Sequence, residues 1–165
     1  MQNSNLVVSV DNNQQASSYQ FVSFRVAGEL FGVSILDVKE VTPMINITPV
    51  YHAPEEVLGY VNIRGEIHLV LDPRLILGLP AKKPDENSRI VIFKPTIAAP
   101  MGILVDHMED VIEVRAHEVE QSGSIQGSSQ GDNLNSQMIS GICKLEKELL
   151  VVLNARNFLR KSSVS

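Results

Sequence analysis

Gly59-Tyr-Val-Asn-Ile-Arg-Gly-Glu-Ile-His-Leu-Val-Leu-Asp-Pro-Arg-Leu-Ile-Leu77 is the stretch that decides the fold. Two short apolar runs, Tyr60 to Ile63 and Glu66 to Leu71, are joined at Arg64-Gly65, where glycine permits the positive φ of a tight hairpin turn. Asp72-Pro73 then starts a helix, a side-chain acceptor at the cap followed by a ring already set to helical φ. Leu75, Ile76 and Leu77 continue it, and Gly78 with Pro80 stop it.

The same strand–turn–strand–helix unit recurs further on. Setting Gly59 to Leu77 over Gly141 to Leu159, an offset of 82, gives six identities in nineteen positions without a gap. They are Gly59/Gly141, Glu66/Glu148, Val70/Val152, Leu71/Leu153, Arg74/Arg156 and Leu77/Leu159, and Asp72 falls on Asn154, which preserves the cap acceptor. Upstream, Gly32-Val33 aligns on Gly102-Ile103 and Glu40-Val41 on Asp110-Val111 at offset 70. The Gly- and Ser-rich stretch 121–137 absorbs the difference and reads as a mobile loop. Short strands at regular spacing, occurring twice, predict an all-β protein of two small barrels packed together.

Tyr19 to Val26 and Leu30 to Val33 read as a hairpin turning at Gly28. Ile35 to Val41 fits a helical turn or the start of a strand. Pro43, Pro49 and Pro54 punctuate a loop, and Glu55 to Leu58 reads as one helical turn. Pro80 to Ser88 is a polar linker. Arg89 to Lys94 with Met101 to Val105, then Met138 to Leu145 with Leu149 to Leu153, supply two more strand pairs, and a short helix follows Asn154. The expected organisation is a disordered tail over 1–18, one domain of two subdomains over 19–159, and a tail over 160–165. The changeover between subdomains is expected near 80–90, with interleaved strands allowed.

Composition narrows the function. At 165 residues, 44% hydrophobic and 20% charged, the chain can bury a core, and its net charge of −5 offers no basic stripe for nucleic acid. Met1 to Ser18 lacks the leader and apolar region of a signal peptide, and no apolar run approaches the roughly 18 residues that span a bilayer. A single cysteine, Cys143, in an apolar run reads as a small buried hydrophobe and fits a reducing compartment.

An enzyme would have to use the histidines. His52, His68, His107 and His117 stand singly, without metal-ligand spacing, and no catalytic, cofactor-binding or metal residue is assigned. His68 alternates with Ile67 and Leu69 and is expected on an exposed or interface face. Asp106 and His107, adjacent in the chain, would point to opposite faces if that segment is extended. Asn62 and Arg64 are polar residues at an apolar hairpin's tip. A guanidinium on a rigid turn suits bidentate recognition of a partner's carboxylate, and equally suits bracing the turn through an internal one. Val33, Ile35, Val38 and Val41 exceed what one short strand buries, which leaves core packing or a groove for a partner's apolar helix.

Phe31-Gly-Val-Ser-Ile-Leu-Asp-Val-Lys-Glu-Val41, Gly59-Tyr-Val-Asn-Ile-Arg-Gly65, Ile67-His-Leu-Val-Leu-Asp-Pro-Arg-Leu75 and Gly102-Ile-Leu-Val-Asp106 with Glu109-Asp-Val111 stand in the order found in one family. Together with Gly141 through Leu159 they make the sequence resemble the CheW family of chemotaxis coupling proteins, from about Tyr19 to Leu159. The resemblance implies two five-stranded SH3-like barrels with short connecting helices, and a non-catalytic, cofactor-free adaptor. It would couple chemoreceptor cytoplasmic hairpin tips to the regulatory domain of a CheA-type histidine kinase, in the cytoplasm, recruited to membrane receptor arrays without inserting in the membrane.

By motif position, Val38, Glu40, Asn62, Arg64 and Gly65 would meet a partner, and Val33, Ile35 and Val105 would be groove or core. Two departures are visible: Leu69 stands where relatives often carry proline, and 118–125 is acidic where some carry a basic residue and an aromatic. Alternative readings are the same adaptor in a non-flagellar pathway such as pilus control, and a small-ligand-binding β-barrel.

Overall fold

The structure, a computed structural model, describes residues 9–10, 17–95, 100–121 and 137–162. The strands are β1 (Ser9–Val10), β2 (Ser17–Val26), β3 (Glu29–Ser34), β4 (Val38–Pro43), β5 (Val57–Ile63) and β6 (Glu66–Leu71). They continue with β7 (Arg89–Phe93), β8 (Met101–Val105), β9 (His107–Arg115), β10 (Val119–Gln121), β11 (Ile139–Lys144) and β12 (Leu149–Leu153). The helices are α1 (Pro73–Leu77) and α2 (Ala155–Ser162), and 3₁₀ turns occupy Ile35–Asp37 and Ala116–Glu118.

The fold is all-β, in two SH3-like subdomains. One sheet runs β4-β7-β8-β6-β5; the other runs β1-β2-β3-β12-β11-β10, with β9 also paired to β2. Each holds the expected five strands, and the second adds the short β1 and β10. Neither sheet closes through backbone hydrogen bonds among the described residues. In the five-stranded sheet the two edges are instead drawn together by side chains, Arg64 to Glu40 and Lys39 to Glu66.

The duplication holds residue for residue. Val57 pairs with Leu71 and Gly59 with Val70, with a bulge between; at offset 82, Ile139 pairs with Leu153 and Gly141 with Val152, with the same bulge. The parallel contact Val70–Gly102 corresponds to Val152–Gly32. Val41–Val91 corresponds to Val111–Val22, and Val38–Phe93 to Met108–Phe24. The halves have nevertheless exchanged parts, since β2 and β3 complete the sheet of β9 to β12, while β7 and β8 complete that of β4 to β6. The chain passes between sheets at Ile35–Asp37 and at Asp106, and residues 80–90 connect α1 to β7 inside one sheet.

Three apolar clusters follow from this exchange. Phe21, Leu30, Cys143 and Leu150 fill the larger sheet, and Val61, Val70, Ile90 and Leu104 fill the smaller. The largest lies between the sheets and takes Phe24, Phe31, Leu71, Phe93, Met101, Ile103 and Phe158 from both. Each carbon buried there contributes through removal of apolar surface from water.

Several local expectations change. Glu55–Glu56 is a turn and Val57 already begins β5, because Thr48 exchanges backbone hydrogen bonds with Tyr60 and pulls the segment into the sheet. Gly59, at φ +147°, leaves no room for a Cβ against the Thr48 carbonyl, so this crossing needs glycine. Ile35 to Val41 is a 3₁₀ turn capped by the Ser34 hydroxyl, then a strand. Ser9–Val10, within the stretch read as a disordered tail, pairs with Ser17 and Ser18. The helix after Asn154 runs to Ser162, into the expected C-terminal tail. The loop read over 121–137 lies, apart from its ends, outside the described residues.

Both crossovers carry an aspartate near a helix arginine, Asp106 near Arg74 of α1 and Asp37 near Arg156 of α2. Arg74 of α1 donates through Nη2 to the Asp106 carboxylate and through Nε to the Pro80 carbonyl at 3.0 Å. Asp106 also accepts from the Ala27 amide at 2.9 Å, so this buried pair joins the two sheets. The counterpart, Asp37, is 7% exposed, and Arg156 and Lys94 act on it only as nearby charges. Burial raises the Asp37 carboxyl above its usual range, with those two cations opposing the shift.

Two predictions follow from these pairs. Arg74→Met strands a buried carboxylate and should cost about 3 kcal/mol by denaturant unfolding, whereas Arg64→Met, in an exposed pair, should cost no more than about 1 kcal/mol. Asp37 holds its proton more tightly folded than unfolded, so its ionised form opposes folding at neutral pH. Asp37→Asn should therefore raise the melting temperature at pH 7, and the gain should shrink as the pH falls through the folded-state pKa toward the unfolded carboxyl value of about 3.9.

Candidate partner-binding hairpin

The β5–β6 hairpin turns through two residues, with Ile63 opposite Glu66. Arg64 and Gly65 have φ of +51° and +85°, the pair of positive values that a primed turn requires. Glycine takes such a value freely; arginine does so at a cost. Asn62 meets part of it, because its Oδ1 accepts from the Gly65 amide at 2.8 Å. Asn62 thus braces the turn on which Arg64 is displayed.

Arg64 donates to both oxygens of Glu40 on β4, at 2.8 and 3.2 Å. Its side chain is 76% exposed and that of Glu40 is 21% exposed. Both readings of the guanidinium are therefore met in part: it is forked on an internal carboxylate and still open to solvent. A pair so exposed is weakly held and can be exchanged. Val38 is half-buried against the shared core, Ile67 stands out from β6 opposite Asn62, and Tyr60 is exposed on β5 opposite Leu69. Val38, Glu40, Asn62, Arg64 and Gly65 thus come together where β4 meets the hairpin tip.

Val33 and Val105 are fully buried in the core between the sheets, and Ile35 packs against them half-buried. Val33 and Val105 are thus core residues, and Ile35 lies partly exposed at the margin of that core.

The counterpart hairpin differs where it matters. Glu66 and Glu148 occupy matching places, and Arg25 forks onto Glu148 at 2.6 and 2.7 Å and onto Glu109 at 3.0 Å. But Arg64-Gly65 is replaced by Glu146-Lys147, so the exposed tip changes its charge at the leading position. Each half thus has a forked arginine, but only the first displays one at the hairpin turn itself.

His68 overturns an expectation. It is 3% exposed and lies on the inner face of β6 with Val70, while Ile67 is the residue turned to solvent. The alternation is as read, with the faces reversed. Its Nδ1 lies 3.1 Å from the Glu66 carbonyl, an arrangement that exposed histidines do not need. Asp106 and His107 do part company as expected, Asp106 to Arg74 and His107 to Glu109 at 3.2 Å. His52 is in the loop before β5 and His117 in the 3₁₀ turn after β9, so the four histidines are dispersed. Burial, with the charge of Glu118, pushes the Cys143 thiol up to about 11, far from a nucleophile's range. Among the described residues no three His, Cys, Asp or Glu side chains gather as a metal site, and no helix is long and apolar enough to cross a membrane.

Comparison with known proteins gives the same answer from several directions. The CheW-like domain family matches residues 20–163. A chemotaxis protein CheW of Rhizobium meliloti is 30% identical over 106 residues, which cover 64% of this chain and 68% of the relative. The Bacillus subtilis chemotaxis protein CheW is 29% identical over 144 residues, 87% of this chain and 88% of the relative. The crystal structure of a scaffolding protein, TtCheW from Thermoanaerobacter tengcongensis, superposes with a TM-score of 0.72 at 26% identity, covering 82% of this chain and 88% of that one. With a family match over nearly its whole length and a solved relative of the same fold, this chain belongs to the CheW-like domain family.

Proposed function

We propose that this chain couples the cytoplasmic hairpin tips of chemoreceptors to the regulatory domain of a CheA-type histidine kinase, in the cytoplasm at membrane receptor arrays. Membership of the family makes it a non-catalytic chemotaxis adaptor; the particular partners are the proposal. The observation that carries it is the Arg64 turn, a guanidinium fixed by backbone geometry and 76% exposed, on a hairpin whose strands also expose Ile67 and Tyr60. Arginine and tyrosine are enriched among the residues that carry binding energy at protein interfaces. Coupling of this kind needs no bond-making, since holding kinase and receptor on one scaffold raises their effective concentration and links their conformational equilibria.

Titration calorimetry of the purified chain against the regulatory domain of its own organism's CheA-type kinase tests the reading. Low-micromolar binding is expected. Arg64→Glu, which repels Glu40 and reverses the displayed charge, should weaken it by about tenfold or more with circular dichroism unchanged. Full binding by that variant removes Arg64 from the contact, and no binding of the wild type to any such kinase of the organism overturns the coupling role.

A further inference from the structure

At position 68 the two halves of the duplication diverge inside their cores. His68 and Leu150 are equivalent, Val61 facing the one and Cys143 the other. A buried histidine where the framework accepts leucine costs solvation unless its ring nitrogens are matched. One of them is. Nδ1 lies 3.1 Å from the Glu66 carbonyl, which can only accept, so Nδ1 carries the proton. In the neutral ring Nε2 is then a bare lone pair, and what it faces is another acceptor, Glu66 Oε2 at 3.7 Å.

That same oxygen lies 3.6 Å from Lys39 Nζ on β4. Glu66 therefore stands between two claimants, with side chains of Glu66 and Lys39 about half exposed. Among the described residues the charged groups set around His68 are Glu66 on its own strand and, through it, Lys39 on β4; β5 offers Val61 opposite the ring, and β8 pairs beside it through Met101. Lys39 and Glu66 are one of the two side-chain ties holding the hairpin tip to β4, Arg64–Glu40 being the other.

We propose that His68 and Glu66 form a proton-operated latch beneath the Arg64 turn. With the ring neutral, Glu66 is held by Lys39 and the hairpin is tied to β4 twice. On acidification a proton from water adds to the Nε2 lone pair, and the new N–H donates to Glu66 Oε2 as a charge-assisted bond. Glu66 is drawn inward, Lys39 is released to solvent, and the Arg64–Glu40 fork is left as the single tie. No other bond is made or broken. The equivalent place in the larger sheet cannot respond, because Leu150 takes no proton. The bearing of the latch on partner binding rests on the coupling role proposed above, whereas its own test uses the free protein and stands or falls separately.

Side-chain nitrogen NMR at pH 8 should find His68 with Nδ1 protonated and Nε2 bare. Amide hydrogen exchange of the turn, corrected for its intrinsic pH dependence, should show opening at Gly65 and Glu66 rising about two- to fivefold between pH 8 and about 5.5, the worth of one exposed ion pair. Glu66→Gln and His68→Leu should both abolish the acid response. Lys39→Gln should give the acid level of opening already at pH 8. Glu66→Gln alters a half-exposed side chain, so it decides the matter even where His68→Leu does not fold. An Nε2-protonated tautomer at pH 8, or an acid response that survives in Glu66→Gln, overturns the latch.

Discussion

Because β2 and β3 lie in the sheet that β9 to β12 build, neither half of the chain possesses a core of its own. A hairpin of two strands is marginal alone. Here each repeat lends its first hairpin to the other and receives one in return, and Phe24 and Phe31 meet Leu71, Phe93 and Ile103 across the seam. Everything else is arranged around that seam. The helices α1 and α2 cover it with Ile76, Leu77 and Phe158, the Arg74–Asp106 pair joins the two sheets, and the Arg64–Glu40 pair draws the edges of the smaller sheet together.

This arrangement separates structure from function within one short sequence. Positions that match between the repeats, such as Gly59 and Gly141 at the bulges and Glu66 and Glu148 beside the hairpin tips, maintain the framework. Positions that differ carry what is particular to one subdomain. Arg64 against Glu146 changes the charge displayed at the tip, and His68 against Leu150 places a proton acceptor beneath it. Both differences fall on the same hairpin, within four residues of each other. An adaptor built from a duplicated unit thus has one decorated face and one plain one, and a partner meets them as unlike surfaces.

The strong local signals were legible from the chain. Arg64-Gly65 and Gly28 gave turns where the backbone takes positive φ, and Asp72-Pro73 gave a capped helix ended by Gly78 at φ +71°. The repeat at offsets 82 and 70 translated directly into matching strand register, which composition alone would never have shown. Three things were not legible. β9, nine residues long, was not recognised as a strand, because His107, Glu109, Asp110, Val111 and Glu113 are all exposed and the two-residue alternation is lost. The polarity of His68 points outward, while the strand's pleat sets it inward at 3% exposure. The role of Asn62 as a brace for Gly65 depends on a side-chain orientation that a hairpin pattern does not specify. At the candidate site the sequence leaves the relation between the residues open: whether Arg64 meets an internal carboxylate is decided by how far the sheet curls, a property of the whole barrel.

The parallel contact between β3 and β12 has a further consequence for how the protein comes into being. Phe31 pairs with Val151 and Gly32 with Val152, partners 120 positions apart in the chain. Contacts of such sequence separation are made late and slowly, since a long loop must be closed before they return any free energy. During synthesis the β2–β3 hairpin emerges early with Phe21, Phe24 and Phe31 facing no partner sheet, and it waits for more than a hundred residues before β12 arrives to cover it. For that interval it is an apolar ribbon with an unpaired edge, the kind of surface that associates wrongly with other nascent chains. The exchange that makes the finished molecule a single cooperative unit therefore also makes its N-terminal strands the part most dependent on protection before folding is complete.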